Sequence, residues 1–188
     1  MKSDRATRDV GILLGGIAAG IVGSRLLPPL IAAAVGSGRA RAGGDPFQVL
    51  IEDHRQIHSL LDQMVKCPTS SRLQRARLFL ALKRKLAKHA LAEEDVIYPR
   101  VRNDSASGNE RKRLYDDHAE MKIFLYEIEG LLRSGEDWRD AVRLLRDLVE
   151  RHVEEEEKTI FPELRRELAA PILPQVSGQI SREQALIL

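Results

Sequence analysis

Cysteine occurs once in the 188 residues, at Cys67, so no internal disulfide framework is available and packing must hold the fold. Cys67 precedes Pro68 and reads as a helix-end residue rather than a redox group. Aromatic residues are scarce, and all eight lie between Phe47 and Phe161, whereas nine of the thirteen glycines precede residue 45. That contrast sets a boundary near residue 45, between a glycine-rich leading segment and a domain with a core. An excess of one charge is also missing: 30 basic against 28 acidic residues leave a net +2, which gives nucleic acid no electrostatic hold. No Glu-x-x-His word occurs, which removes a ferritin-like arrangement.

Long apolar runs are lacking too. The uncharged run Val10 to Ser24 would span about 22 Å as a helix, against about 30 Å of bilayer hydrocarbon. Continuing it past Arg25 means crossing Pro28 and Pro29 before Leu30 to Val35. Three readings stand: a membrane anchor, whose Gly11, Gly15, Gly16 and Gly20 suit close helix packing in lipid; an export signal with a small-residue cut after Ala42; and a mobile tail. Membrane association through residues 10–35 is the favoured expectation, with an exported or a cytoplasmic chain as the others. Residues 1–44 are thus a hydrophobic helix followed by a linker over Gly36 to Gly44.

From Asp45 onward, helical periodicity takes over. Asp45-Pro46 supplies an N-cap and a first-turn proline. The first stripe runs Phe47, Leu50, Ile51, His54, Ile57, Leu61, Met64 and Val65, and Pro68 ends it. A second runs Leu73, Phe79, Leu82, Leu86, His89, Glu93 and Ile97, until Tyr98-Pro99 breaks or bends the helix. Asn103 to Asn109 reads as a loop. A third runs Leu114, His118, Met121, Leu125, Ile128 and Leu132, and a fourth runs Trp138, Val142, Leu145, Val149, His152, Glu156 and Ile160. These four amphipathic helices with short links predict an all-α, up-down-up-down four-helix bundle over residues 45–168. Residues 169–188 carry no pattern strong enough to place and read as a mobile or loosely docked tail.

The bundle is written twice. His89-x-x-x-Glu93-Glu94, leading to Tyr98-Pro99, returns 63 residues later as His152-x-x-x-Glu156-Glu157, leading to Phe161-Pro162. Asp53-His54 returns 64 residues later as Asp117-His118. His and Glu four apart share one helix face, and His54, His89, Glu93, His118, His152 and Glu156 all fall in register with the apolar stripes. A single histidine there would be an ordinary hydrogen-bonded core residue. Six polar groups without partners would each cost several kcal/mol, and a pair of cations removes that cost. Nitrogen and carboxylate donors without thiolate suit iron best, and manganese or zinc are accepted. Glu94 and Glu157 lie one step off the stripe and read as solvated or hydrogen-bonded helix-end residues. Tyr98 and Phe161 read as packing residues at the bundle end.

These four words in this order resemble the hemerythrin-like, or HHE cation-binding, domain across roughly Asp45 to Leu168. The resemblance implies a bundle holding two oxo- or hydroxo-bridged irons that bind dioxygen or another diatomic such as nitric oxide, or that serve in iron or redox sensing. A di-iron oxidase or peroxide-decomposing enzyme is the alternative. The chain departs from the oxygen-carrying members, which place a second histidine one turn after the one on the third helix; Lys122 stands there instead. His54-x-x-x-His58 puts such a pair on the first helix, and the repeat exchanges the first helix with the third, so His58 is the expected fifth nitrogen. Protein partners are not indicated.

Overall fold

The computed structural model describes residue 29 and residues 31–40, 43–102 and 108–187. The apolar run Val10 to Ser24 and most of the loop expected over Asn103 to Asn109 lie outside these residues. Residues 31–40 form α1. There follow α2 (Pro46–Lys66), α3 (Arg72–Ala92), α4 (Gly108–Ser134), α5 (Arg139–Glu155), α6 (Phe161–Glu167) and α7 (Leu173–Gln184). Among the described residues there is no strand, and no helix is long and apolar enough to cross a membrane.

The start of α2 follows the sequence reading: the Asp45 carboxylate accepts the Phe47 N–H at 2.9 Å, and Pro46 occupies the first turn. Helices α2 to α5 form the bundle, with α2 against α3 and α5, and α4 against α5. Two apolar clusters fill it. At one end Leu61, Met64, Leu82, Ile128, Trp138 and Leu145 pack together; at the other are Phe47, Leu50, Ile97, Leu114, Phe161 and Leu164. The polar layer read from the repeat lies between them, because each of its histidines is flanked along its helix by residues of one or both clusters. Trp138 closes the first end. It is sandwiched by the guanidinium groups of Arg75 and Arg139, at 4.3 and 4.6 Å from the ring, and its N–H donates to Met64 O. Leu73, expected in the core, is 64 % exposed; Arg75 turns inward in that turn to cover Trp138.

In both repeats the helix widens at the same place. Glu93–Ile97 and Glu156–Ile160 are π-turns, in which Tyr98 N–H bonds Glu93 O and Phe161 N–H bonds Glu156 O. Pro99 and Pro162 lack the N–H that would continue the α-helical ladder one residue later. The result brings the residue five places on from each glutamate back over that glutamate.

Two expectations for the chain ends differ from the structure. The linker read over Gly36 to Gly44 begins later, since residues 36–40 are helical. The segment after Leu168 contains a full helix, α7, which packs on α2 and α3 and buries Val176 and Ile180 in the core. Helix α1 crosses α7 backbone to backbone at Gly36 and Gly178. A Cβ on Gly178 would lie 2.5 Å from Gly36 O and 2.8 Å from Ala40 Cβ, so glycine is required on steric grounds.

Candidate metal centre

His54 comes from α2, His89 and Glu93 from α3 and its π-turn, His118 from α4, and His152 and Glu156 from α5 and its π-turn. All six are at most 3 % exposed. Their donor atoms face one another. His54 Nε2 lies 3.0 Å from His89 Nε2 and 3.2 Å from Glu156 Oε2. His89 Nε2 lies 3.1 Å from Glu93 Oε2, His118 Nε2 3.4 Å from Glu93 Oε2, and His152 Nε2 3.5 Å from Glu156 Oε1. They sort into two groups with room for an ion each: His54, His89, Glu93 and Glu156 in one, and Glu93, His118 and His152 in the other. Glu93 belongs to both, as a bridging carboxylate would.

Three of the four imidazoles are hydrogen-bonded from behind by a carboxylate on Nδ1, and the fourth, His89, faces one without a hydrogen bond. Glu157 accepts from His54 at 2.7 Å and Glu94 from His118 at 3.0 Å. Asp117 accepts from His152 at 3.2 Å, and Asp53 faces His89 Nδ1 at 3.8 Å. The repeat therefore extends to the supports: the residue before each helix-leading histidine backs the His-x-x-x-Glu histidine, and the residue after each glutamate backs the helix-leading one. In His54, His118 and His152 the bond to carboxylate favours the proton on Nδ1 and turns Nε2 toward the layer. Asp53 is itself anchored by Lys85 and by Gln184 of α7, whose amide donates at 2.6 Å.

The electrostatics favour charge in this layer. Burial opposes protonating His54, but the close carboxylates of Glu156 and Glu93 outweigh it and push the imidazole up to about 10. His118 is likewise lowered by burial and raised more by Glu93 and Glu94, to about 9. Burial would also raise Glu93, yet the charge of His89 and the nearby imidazoles of His118 and His54 hold it well below the usual carboxylate range. Glu93 Oε1 and Glu156 Oε2 are buried with no hydrogen-bond donor. Two orphaned carboxylate oxygens among four inward-facing imidazole nitrogens fit cations, because cations supply the partners that the protein does not.

Two residues depart from the sequence reading. Tyr98 is more than end packing: the π-turn carries its hydroxyl into the polar layer, where it donates to Glu156 Oε1 at 2.8 Å and lies 3.0 and 3.3 Å from His118 and His152 Nε2. Burial and the nearby charge of Glu156 hold its pKa well above 10, so it stays a donor. Its counterpart Phe161 stacks on His54 at 5.9 Å instead. His58 joins neither group of donors. It lies in an outer groove between α2 and α5 beside Asp62, Glu154 and Glu157.

A DNA nickase of Nostoc sp. is 32 % identical over 140 residues, which cover 74 % of this chain and 39 % of that protein. An uncharacterized hemerythrin-like protein of Schizosaccharomyces pombe is 24 % identical over 127 residues, covering 64 % of this chain and 59 % of the relative. The chain thus spans less than two thirds of either. No solved structure gives a significant match. The hemerythrin HHE cation-binding domain matches residues 45–164, the stretch that builds the bundle and its buried His/Glu layer, and the chain belongs to the hemerythrin family.

Proposed function

We propose that the layer holds two iron ions and that the chain binds dioxygen or nitric oxide there, as a carrier or sensor or within iron and redox homeostasis. One observation carries this reading: two buried carboxylates, each with an oxygen lacking a donor, face four imidazole Nε2 atoms whose Nδ1 sides point to carboxylates. His54, His89, Glu93 and Glu156 would hold one ion, and Glu93, His118 and His152 the other. When bound, the metal pair supplies electrons to a diatomic ligand. The protein orients the imidazoles through Asp53, Glu94, Asp117 and Glu157, flanks them with the two apolar clusters, and presents the Tyr98 hydroxyl as a fixed hydrogen-bond donor.

That hydroxyl also supports a second reading, a di-iron oxidase or peroxide-decomposing enzyme, since a fixed hydrogen-bond donor beside the metals would stabilise charge developing on a reduced ligand. Loading the full chain anaerobically with ferrous iron, counting bound ions, and following absorption through admission and removal of air separates the two. Absorption that appears and bleaches reversibly supports binding. Irreversible oxidation or consumption of added peroxide supports the enzyme. Fewer than two ions per chain overturns both. We further propose that residues 10–35 attach the chain to a membrane, which co-sedimentation with liposomes tests.

A further inference from the structure

The repeat exchanges α2 with α4 and α3 with α5, so the α2–α5 seam and the α3–α4 seam are counterparts. They are not alike. Helices α2 and α5 pack closely, whereas α3 and α4 stand apart. Between α3 and α4 lies a cleft of about 330 Å³ that runs from a rim of Lys83, Lys122 and Tyr126 to the histidines of the polar layer. The counterpart groove, lined by His58, Asp62, Arg146, Glu150 and Glu157 among others, has mostly ionisable residues around it and includes none of those four histidines.

The sequence accounts for the difference. At the 63-residue offset Ala87 and Ala90 correspond to Glu150 and Val153, and at the 64-residue offset Tyr126 corresponds to Asp62. Ala87 and Ala90 thus line the α3–α4 cleft with small apolar side chains, whereas Glu150 and Val153 line a counterpart groove of about 490 Å³ that does not reach the histidines of the polar layer. The walls that remain, Leu86, Met121, Leu125 and Val149, are aliphatic. The rim carries no free charge to hold an ion, because Lys83 pairs with Glu129 at 2.7 Å and Lys122 with Glu94 at 3.0 Å. The volume is that of roughly ten waters, far more than a diatomic fills, and at the lower end of small-molecule sites. Water in such a cleft finds few partners, so an apolar occupant is favoured.

We propose that the α3–α4 cleft binds a neutral, apolar organic molecule about the size of octan-1-ol, seated against the edges of His89 and His118 on the approach to the metal centre. Only its effect on that approach rests on the metal reading; the binding itself needs no metal. The test uses the full chain, both iron-loaded and metal-free, titrated with the neutral fluorophore 1-aminoanthracene and then with octan-1-ol or octanoate. Both forms take up the fluorophore, octan-1-ol displaces it, and octanoate is weaker by roughly tenfold or more because its charge must be desolvated. Ala87→Leu with Ala90→Leu fills the cleft and weakens uptake by roughly tenfold or more, while Glu150→Leu in the counterpart groove leaves it unchanged. If the double variant fails to fold by circular dichroism, Ala87→Trp at the exposed rim replaces it. No uptake by the unaltered chain, equal uptake by the filled variants, or displacement by octanoate as strong as by octan-1-ol overturns the proposal. Two bound irons without uptake remove the cleft alone, and uptake by a chain that binds no iron removes the metal reading alone.

Discussion

The Tyr98 hydroxyl donates to Glu156 across the bundle at 2.8 Å, while Phe161, its counterpart in the second repeat, reaches the polar layer only as a ring stacked on His54. One half of an otherwise duplicated centre therefore owns a hydroxyl hydrogen-bond donor that the other lacks. Tyr98→Phe makes the halves alike. In the metal-free chain it leaves Glu156 Oε1 without that donor, at a cost of about 1–3 kcal/mol, read as a lower urea midpoint. With iron loaded, the count stays at two ions per chain while the absorption spectrum shifts. A loss of iron instead would make Tyr98 a ligand.

The carboxylates behind the imidazoles set how tightly they hold a cation. Asp53→Asn and Asp117→Asn should each lower iron affinity about 10–100-fold, the usual consequence of weakening such a support. Gln184→Leu, which removes only the 2.6 Å bond from α7 to Asp53, should lower it less. His58→Ala should leave it unchanged, because His58 lies outside both donor groups. Competition against a chelator of known affinity ranks the four variants; a large effect of His58→Ala would restore that residue as a ligand.

What the sequence disclosed about this centre follows from which geometry each residue obeys. His89 and Glu93, and His152 and Glu156, sit four apart on ordinary α-helix, so their shared face was legible from spacing alone. Tyr98 was not, because five residues on an α-helix turn about 140° away from Glu93; only the π-turn cancels that rotation. The signal was there in the position of Pro99 and Pro162, repeated at the same distance from each glutamate. Asp53, Glu94, Asp117 and Glu157 were visible as repeated words, but their pairing is crosswise between helices and needs the packed bundle. Helix α7 escaped because Pro171, Pro174 and Gly178 punctuate its sequence, and Gly178 is required by a neighbour that no local pattern reveals.

Acidity should separate the metal-free and loaded chains. His54, pushed up to about 10, and His118, to about 9, have folded-state values above the ordinary imidazole value of 6.5. Their contribution is therefore complete below about pH 6.5 and is lost as pH rises through 9 to 10. Thermal melts of the metal-free chain should fall over that alkaline range. Glu93 acts oppositely, being held low, so its contribution is lost as pH falls below its ordinary 4.5. Cations displace the imidazole protons, so iron affinity should rise with pH and the loaded chain should not show the alkaline fall. Parallel melts from pH 6 to 10 check this, and identical profiles for the two forms would separate these histidines from the metal.

Among the described residues, the crossing of α1 on α7 includes two glycines in backbone contact and a 3.3 Å bond from Arg39 to Ser177, and Ala32 of α1 is buried. Gly178→Leu places a side chain where Gly36 O already lies, so α1 must leave its seat. Gly38→Leu is the matched control, since a Cβ there meets nothing within 4 Å. Limited trypsin digestion should cut at Arg39 markedly faster in Gly178→Leu than in Gly38→Leu or the unaltered chain. Iron content should stay the same in all three, because the polar layer is supported by α2 to α5. Should Gly178→Leu also lose iron, the disturbance must reach Asp53 through Gln184, and α7 would then act as a mechanical link between the leading segment and the metal centre rather than a passive brace.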